Sequence, residues 1–480
     1  MAEQVPNSSH PEGEGGTQTL RVRVSTKGHT VELPARAPEP GDPWFLHGRE
    51  EPSKYVAEGY CESRRLTDSA GSQLWRIHDK YFDLSEYLAS HPGGRQWLER
   101  TRGWDITEAV QSHHLRLSWE QLYRTIRKYE VPAPQGLEGL PPNRFTFDED
   151  GFYGALRQRA AAYLKQAGAP TGTPPASIVA LNVGFVLLWA SVAALAVYLA
   201  SPLLAACAGF LLLSVWGVGH NFLHQGARRP GAPLRYVMGI TGVCSSDFQV
   251  THCLSHHLLP NTTLDIEVYA FKVAKLHWLP SERGNAVLVQ RVLALVIFAM
   301  LIPTTFGQRV LGIVTGERRL GAEDLLLPGI VTAFALAAPT LATGLGLAFI
   351  MYAVFGVVIS VIGLIVHHGA DAEEGRLLAW HDGDGRPLPR DWAMFEIAAA
   401  TDHSTGAGQF VSLLLFGNLN HHVAHHLWPA VDHSWHAELM REVIRPTCAE
   451  FGVEYVEYGA LELLGAYFRH LVQRDWTVMS

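Results

Sequence analysis

This chain of 480 residues has no CxxC pair of cysteines and no long run of Lys or Arg. Five cysteines are present, an odd number without any CxxC spacing: Cys61, Cys207, Cys244, Cys253 and Cys448. Neither a disulfide framework nor a cysteine zinc site is therefore predicted. With a net charge of −8 and no basic block, the chain also lacks the electrostatic pattern of a protein that binds nucleic acid.

Aromatic residues are absent from residues 1–42, which are rich in Pro, Gly and Glu. Such a segment cannot bury enough apolar area to offset its ordering entropy, so we predict a disordered tail at 1–42. The segment also lacks a charged start followed by an apolar run, which predicts no secretory signal peptide and a cytosolic N-terminus. Aromatic residues return in residues 43–131, which are predicted to form one compact domain. Within residues 132–175, the prolines before residue 143 favour an extended linker. A helix is predicted to follow at about Phe147–Gln166, and further prolines end it.

Charged side chains are absent from two long blocks, residues 166–227 and 325–370. Each block is long enough for two helices that cross a hydrocarbon core of roughly 30 Å. The predicted spans are 178–199, 203–219, 325–342 and 346–366, with Pro339 and Gly344 near the second reversal. A shorter apolar run, Val292 to Ile302, is assigned to the membrane interface. The alternative is that these blocks are core helices of a large soluble protein.

Four spans predict that both termini of the membrane domain at 176–480 lie on one side. The turns between paired spans are short and uncharged, and every Lys and Arg lies near the opposite side. The positive-inside tendency assigns that side to the cytosol. Two spans separate the early histidine-rich segments from the late ones, so all of these segments are expected on the cytosolic side.

The chain contains 24 histidines, and many of them are gathered in three short runs. These runs read HNFLH at 220–224, HCLSHH at 252–257 and NHHVAHHLWP at 420–429. Imidazoles at i, i+3 and i+4 share one helical face and suit iron, zinc, copper or nickel. The expected metal ligands are His220, His224, His252, His256, His257, His422, His425 and His426, with His368 and His403 as further candidates.

Such a number of imidazoles exceeds the three or four ligands that one zinc takes, so two metal ions are predicted. The pair His367 and His368 follows the last predicted span, and one alternative for it is a histidine at the membrane interface. His433 and His436 have i, i+3 spacing after the third run but are not assigned to a metal. The remaining histidines show no ligand spacing, and most are expected at the surface: His10, His29, His47, His78, His277, His381 and His470.

A different redox centre is indicated upstream by the run HPGG at 91–94 and by His113 and His114 about two dozen residues later. The Pro-Gly-Gly turn places His91 in a loop, where a second histidine can face it across a haem. A haem iron with two protein ligands passes single electrons and does not readily bind O₂. The alternative interpretation of HPGG is a simple turn.

Residues 75–131 resemble cytochrome b5 domains in Trp75, in the HPGG run and in the segment DITEA at 105–109. The resemblance implies a small α+β domain that binds haem b, with His91 and His114 as the axial ligands. The count to His114 is one residue shorter than is usual in that family, so His113 stays an alternative.

Residues 146–480 resemble the membrane fatty acid desaturases, particularly the front-end type with a fused cytochrome b5 domain. The resemblance implies a mainly α fold with four spans, and a di-iron centre held by the three histidine runs on the cytosolic face of the endoplasmic reticulum. Two departures stand out. His422 occupies a position where front-end enzymes generally have Gln, and Cys253 stands where the second run usually has its first His. In an α-helix His257 would turn away from His252 by roughly 140°.

The function implied is oxidation of an acyl chain with O₂ to form a double bond, with electrons from the fused haem domain. The expected partners are a fatty acyl lipid or acyl-CoA substrate, O₂, cytochrome b5 reductase and membrane lipid. Hydroxylation by the same di-iron site is an alternative, because no motif separates the two reactions. A non-catalytic membrane haem protein that transfers electrons to other enzymes is another.

Overall fold

The structure is a computed structural model, and it describes most of the chain beyond residue 60. The described residues are 61, 64–66, 73–138, 140, 143, 145–226, 229–261, 264–269, 287–316, 318–368, 380–381, 387–388 and 390–472. The disordered tail predicted at 1–42 lies outside them. The fold is mainly helical, with a small α+β unit at the N-terminal end of the described chain.

The N-terminal unit combines a three-stranded antiparallel sheet with short helices. Its strands are β1 (Trp75–Ile77), β2 (Lys80–Phe82) and β3 (Glu130–Val131), in that spatial order. Its helices are α1 (Arg95–Arg100), α2 (Thr107–His113) and α3 (Trp119–Ile126). The large aromatic side chains of this unit, including Trp75, Phe82 and Trp104, are buried in one core.

The segment predicted as an extended linker is packed against both neighbouring parts of the chain. Tyr81 Oη donates to the carbonyl of Leu137 at 3.1 Å. The short strand β4 (Phe145–Thr146) pairs in parallel with residues 390–391 of the later chain. Helix α4 (Phe152–Gln166) begins five residues later than predicted, because Gly151 N donates to Asp148 O at 3.0 Å and closes a turn there.

Among the described residues, three helices are each long and apolar enough to cross a membrane. They are α5 (Ala176–Tyr198), α6 (Pro202–His224) and, further along the chain, Leu341–Ile365. At 1.5 Å per residue, the 23 residues of α6 extend about 35 Å. Helix α6 and the helix Leu341–Ile365 approach closely at Gly209, which has no room for a side chain. A Cβ added there would lie 2.3 Å from the carbonyl oxygen of Met351. The prediction of long apolar helices is confirmed for these three.

The segment predicted to span at 325–342 forms a shorter helix. After α7 (Ser245–Phe248), α8 (Val287–Ala299) and α9 (Leu301–Val314), the next helices are α10 (Leu326–Ala337) and α11 (Leu341–Ile365). The 12 residues of α10 extend only about 18 Å. The reversal lies before Thr340, whose hydroxyl caps α11 by accepting from Thr343 N at 3.1 Å. Gly344 lies inside α11, where a Cβ would approach Phe334 O to 2.2 Å, so its role is close helix packing.

The apolar run predicted as an interfacial segment at 292–302 belongs to a longer, bent pair of helices. Residues 293–299 and 301–314 meet at an angle of 53° and together are long and apolar enough for a span. The break falls at Met300, which separates α8 from α9. The helical apolar stretch is therefore longer than the predicted run, because it continues beyond Ile302 to Val314.

The C-terminal part of the described chain surrounds the third histidine run. Its helices are α12 (Trp392–Ala399), α13 (Gln409–Phe416), α14 (His422–Leu427), α15 (His436–Leu439), α16 (Arg445–Phe451) and α17 (Ala460–Val472). Short strands lie at Trp380–His381, Pro387–Leu388, Arg390–Asp391, Asp402–His403 and Glu457–Tyr458. Asp402 Oδ1 accepts from Val423 N at 2.8 Å, which fixes the first turn of α14.

Several further short segments of the described chain are 3₁₀ or π-helices. The 3₁₀ segments are Leu88–Ser90, Arg127–Tyr129, Ala232–Thr241, Ile266–Tyr269, Ala322–Leu325, Leu419–His421 and His433–Trp435, and the π-helices are Gln249–His256 and Met440–Ile444.

Candidate metal and haem centres

Two histidines of the N-terminal unit face each other across a gap that fits a haem iron. The imidazole centroids of His91 and His114 lie 6.2 Å apart. Two iron–nitrogen bonds of about 2 Å and the two ring radii give a separation of roughly 6 Å for rings on opposite sides of one iron. The Nδ1 atoms lie 3.0 Å from Gly94 O and 2.8 Å from Val110 O. Each Nδ1–H therefore donates to a carbonyl, which fixes the tautomer that carries its lone pair on Nε2.

The Pro-Gly-Gly turn explains how His91 reaches this position. Gly94 has a φ of 112°, a conformation that residues with a side chain rarely adopt. A Cβ added at Gly93 would lie 2.9 Å from Cε1 of the His91 ring. Glycine is required at both positions, because the tight turn folds the His91 imidazole back over the backbone.

His113 is directed away from the gap. Its Nδ1 lies 2.8 Å from Ser112 Oγ and 3.1 Å from Ala109 O, and its ring centroid lies 5.9 Å from that of Trp97. Burial lowers the pKa of His113 to about 4, with the neighbouring His114 as the next cause. Of the two alternatives left by the sequence, the geometry favours His114 as the partner of His91.

A first group of five buried imidazoles gathers at the end of α6. One nitrogen of each lies within 4.8 Å of one nitrogen of every other member. The members come from three distant parts of the chain: His220, His224, His252, His257 and His425.

A second group of four buried imidazoles lies beside the first and meets the same distance limit. Its members are His256, His367, His422 and His426. Both groups draw on the second and third histidine runs, so the two positions adjoin each other.

The nitrogen atoms within each group are too close for ordinary ring packing. In the first group, His252 Nε2 lies 2.7 Å from His220 Nε2 and 3.0 Å from His257 Nε2. In the second, His367 Nε2 lies 2.9 Å from His256 Nε2 and 2.7 Å from His422 Nε2. Two nitrogens that bind one metal at about 2.1 Å and at right angles are roughly 3 Å apart. The spacing therefore fits ligands that converge on a shared ion.

Carboxylates support three of these rings from behind. His252 Nδ1 lies 2.8 Å from Glu267 Oε1, and His256 Nδ1 lies 2.9 Å from Asp265 Oδ2. His426 Nδ1 lies 2.9 Å from Glu396 Oε2, and both side chains are fully buried. A carboxylate in this position fixes the ring and the tautomer, and makes Nε2 a more basic ligand. No pattern in the sequence indicates these three acidic residues, which lie in none of the histidine runs.

Several buried imidazole nitrogens have no hydrogen-bond partner, and this tests whether the site fits metal ions. They are Nδ1 of His220, His224, His257 and His422, both nitrogens of His425, and Nε2 of His426. Leaving a buried polar group unsatisfied costs about 1–3 kcal/mol. His426 shows the pattern most simply, because its Nδ1 is bound to Glu396 and its free Nε2 faces the second group. The converging Nε2 atoms of the two groups and the unsatisfied Nε2 of His426 fit two metal ions.

The protonation states also suit metal binding. Burial, followed by the neighbouring imidazoles, lowers the pKa of His422, His425 and His426 well below its ordinary value. Neutral imidazole is the form that binds a metal. His256 differs: burial opposes its charge, but the carboxylates of Asp265 and Glu267 outweigh burial and raise its pKa to about 9. A cation at the second group would compete with that proton.

The second histidine run forms a π-helix, Gln249–His256, and this changes which residues share a face. The backbone N–H of His257 donates to His252 O at 2.9 Å, an i to i−5 bond. His257 therefore lies over His252, and the expectation that it turns away by roughly 140° is wrong. Cys253 is buried with its Sγ 3.9 Å from His224 Nε2, and it belongs to none of the metal-type groups among the described residues.

His368 and His403 are not brought into either group. His367, one residue earlier, occupies the second group, and its Nδ1 lies 2.9 Å from Ala399 O. Adjacent residues in a helical turn point about 100° apart, so His368 faces elsewhere, with its ring centroid 6.4 Å from that of His367. His403 is held in a strand whose register pairs it with Tyr458, and its ring lies 4.9 Å from that of Phe416.

His433 and His436, which the sequence did not assign to a metal, are buried beside the first group. With His425 they form a further set of imidazoles whose nitrogens lie within 4.8 Å of one another. Their i, i+3 spacing was the available signal. Of the histidines expected at the surface, His10, His29, His47 and His277 lie outside the described residues, and the side chains of His381 and His470 are not described.

The haem-type turn contacts the end of α6. A Cβ added at Gly226, two residues after His224, would lie 3.4 Å from Gly93 Cα and 3.6 Å from Pro92 O. Nearby, Arg100 Nη1 donates to Gln249 Oε1, at the start of the π-helix, at 2.5 Å. Val250 and Leu254 of that helix pack in the same core as Trp75 and Leu98. The two centres are therefore neighbours in one packed structure.

Comparison with known proteins assigns both parts of the chain. Residues 169–459 match the fatty acid desaturase family, and residues 63–132 match the cytochrome b5-like haem/steroid binding domain. The chain belongs to the fatty acid desaturase family. It is a desaturase domain fused to a cytochrome b5 domain, and this confirms the recognition made from the sequence.

The relatives include a protein named for cytochrome b5 and proteins named as acyl-lipid desaturases. Cytochrome b5-related protein of Drosophila melanogaster is 28% identical over 381 residues, 76% of this chain and 80% of that protein. Acyl-lipid (7-3)-desaturase, chloroplastic, of Chlamydomonas reinhardtii is 26% identical over 92% of this chain and 84% of its own length. Acyl-lipid (8-3)-desaturase of Physcomitrium patens is 23% identical over 97% of both chains.

The family membership confirms the predicted cofactors and enzyme class. Cytochrome b5 domains bind haem, and fatty acid desaturases use two irons, which agrees with the two histidine groups. The chain is an O₂-dependent, desaturase-like oxidoreductase, and its apolar helices make it a membrane protein.

Proposed function

We propose that this protein introduces a double bond into a fatty acyl chain and uses its own cytochrome b5 domain as the electron donor. The haem domain would comprise residues 43–131, the connection 132–175 and the desaturase domain 176–480. The two adjoining groups of five and four buried imidazoles are the observation that carries the proposal. A helical membrane protein has no structural need for nine converging imidazoles, because each must find a partner in an apolar surrounding.

The geometry supports the following assignment of ligands. His91 and His114 would bind the haem iron, because each Nδ1 is already bound to a carbonyl. The first group would hold one non-haem iron and the second group the other. His368 and His403 are excluded from this assignment because neither lies in a group. When bound, the two irons supply the activation of O₂ for removal of hydrogen from a carbon chain.

The residues of this chain would hold the metal ligands in position, exclude bulk water from the site and compensate the charge of the metal ions. The carboxylates of Asp265, Glu267 and Glu396 would offset part of the positive charge of the two irons and hold three ligand rings. All nine imidazoles are buried, which limits the access of bulk water to the reacting chain. The reaction would remove two hydrogens from adjacent methylenes and reduce O₂ to two water molecules; the substrate supplies two of the four electrons and protons, and the haem and solvent supply the other two.

The contact between the HPGG turn and α6 supports direct electron transfer from the fused haem. Tethering raises the local concentration of the donor at the metal centre. Cytochrome b5 reductase would reduce the haem. An acyl lipid or acyl-CoA would be the substrate, and the endoplasmic reticulum membrane, with both termini cytosolic, the location.

Lipid profiling in a yeast host tests the proposal. Cells that express the wild-type chain are compared with cells that express His426→Ala, which removes an imidazole bound to Glu396 while leaving the haem domain unchanged. The expected wild-type product is an acyl chain lighter by two hydrogens, absent from the variant, while the haem spectrum is equal in both.

Other outcomes separate the alternative functions. A product heavier by one oxygen would establish the hydroxylase instead. Unchanged acyl chains, in a sample that contains haem but no non-haem iron and is supplied with reductase, would contradict the catalytic proposal and favour an electron-transfer protein.

A further inference from the structure

A third cluster of imidazoles adjoins the nine that the proposed di-iron centre uses. It consists of His433, His436 and His425, with one nitrogen of each within 4.8 Å of the others. His433 and His436 belong to neither of the other groups. His425 belongs both to this cluster and to the first group.

The nitrogens of this cluster are buried and unsatisfied. Both nitrogens of His433, both of His425 and Nδ1 of His436 have no hydrogen-bond partner. The three rings lie close, with centroids 5.0 Å apart for His425 and His433 and also 5.0 Å apart for His433 and His436. Among the described residues no hydrogen bond joins these rings. Three unsatisfied rings in one buried place cost free energy unless a ligand is present.

His436 is oriented as a metal ligand. Its Nε2 lies 3.1 Å from Val431 O, so the N–H is used by a backbone carbonyl. Its Nδ1 then carries the lone pair, and this is the atom without a partner. Metal-binding histidines commonly donate their other N–H to a carbonyl or carboxylate in this way.

His433 is held in place by its backbone. Its N–H donates to Asn221 Oδ1 at 3.3 Å, one residue after His220 of the first group. Asp432 accepts from Asn221 Nδ2 at 2.7 Å and from Gln225 Nε2 at 3.1 Å, which ties this turn to the end of α6. The imidazole itself makes no hydrogen bond, so the turn is fixed while the ring remains free to bind a ligand.

We propose that His433, His436 and the adjoining nitrogen of His425 bind a third divalent transition metal ion, such as Zn²⁺ or Fe²⁺, next to the di-iron centre. His433 and His436 would bind as neutral imidazoles. His425, which also belongs to the first group, would bind through its second nitrogen as a bridging imidazolate after its N–H proton is lost to solvent. Two imidazoles, one imidazolate and an open fourth position suit these borderline ions.

Metal counting tests this site without any measurement of lipid products. The full-length protein is purified in detergent, and non-haem metal is determined by mass spectrometry relative to haem. We expect about three metal ions per haem in the wild type and about two in the His433→Gln/His436→Gln double variant. A wild-type count of two, or an unchanged count in the double variant, would overturn the proposal.

His403→Gln is the matched control, because His403 is also buried with an unpartnered Nε2 but lies in none of the metal-type groups among the described residues. It should leave the count unchanged. A titration of chelator-treated wild-type protein with Zn²⁺ gives a second measurement that needs no variant: saturation at three equivalents supports the site, and saturation at two contradicts it. Either result is independent of whether the protein desaturates acyl chains.

Discussion

At the residue scale, the two kinds of centre differ in the hydrogen-bond partner of Nδ1, the ring nitrogen that would not bind the metal. In the haem pair, Nδ1 of His91 and of His114 is bound to a backbone carbonyl. In the non-haem groups, Nδ1 of His252, His256 and His426 is bound to a carboxylate. A carbonyl fixes the orientation of the ring and adds no charge. A carboxylate also offsets part of the charge of a divalent ion, which matters where no porphyrin supplies negative charge.

Replacement of His91 by Ala should remove the haem and leave the non-haem metal in place. The His91 ring is one of the two that face the gap, whereas the non-haem groups share no residue with it. The measurement is the Soret absorbance together with non-haem iron per chain. His113→Ala is the control and should retain the haem, because its ring packs on Trp97 instead. Loss of haem in His113→Ala with retention in His91→Ala would reverse the assignment.

The π-helix is the decisive feature at the scale of one element. The second histidine run has three residues between His252 and His256, one more than the family spacing of HxxHH. A π-helix accommodates an extra residue within a turn, and such turns are frequent at functional sites. The result is that His252 and His257 point to the same place, with Nε2 atoms 3.0 Å apart.

His252→Ala should therefore lower the non-haem iron content, whereas Cys253→Ala should not. His252 is bound to Glu267 and lies in the first group, while the thiol of Cys253 lies outside all groups among the described residues. We expect a loss of one iron per chain in His252→Ala, determined by elemental analysis with the haem as internal reference.

Cys253→His provides the converse experiment. Cys253 is fully buried, so a larger ring must displace its neighbours at a cost of about 1–3 kcal/mol. Unchanged or lower activity would show that His252 already serves as the ligand. Higher activity and higher iron content would show that the site is incomplete without a histidine at 253.

The position of the haem domain against the membrane domain matters at the scale of the whole molecule. The HPGG turn approaches Gly226 at the end of α6, and Arg100 of the haem domain contacts Gln249 of the π-helix. The connection at 132–138 packs on the haem domain through Leu137, so it also restrains the domain. The haem ligand loop and the first histidine group are thus held in one arrangement.

A bulky residue at position 226 should slow electron transfer between the two centres. Gly226→Leu places a side chain where even a Cβ would lie 3.4 Å from Gly93 Cα, so the haem turn must move away. We expect reduction of the haem by reductase to be unchanged and reoxidation of the haem in the presence of O₂ and acyl substrate to be slower by about tenfold or more. Stopped-flow absorbance at the haem bands measures both rates.

Gly184→Leu is the control for that experiment, because a Cβ at Gly184 meets no atom within 4 Å. It should leave both rates unchanged. Equal reoxidation rates in Gly226→Leu and wild type would show that this contact does not lie on the path of the electrons.

The sequence by itself determined the two centres, the membrane character and most of the ligands. Charge-free blocks of sufficient length identify spans because hydrocarbon cannot solvate ions, and i, i+3 and i+4 spacing identifies imidazoles on one helical face. His220, His224, His422, His425 and His426 follow from this local periodicity. A local pattern of this kind is readable because it depends only on helix geometry.

Only the tertiary structure decided which distant groups meet. It selected His367 over His368, excluded His403 through its strand pairing, and brought His433 and His436 beside the first group. It also placed the carboxylates of Asp265, Glu267 and Glu396 behind the rings. These choices depend on packing between separate segments, such as those that bring His367 to His256, 111 residues away, and on a π-helical turn. No periodicity along the chain encodes either of them.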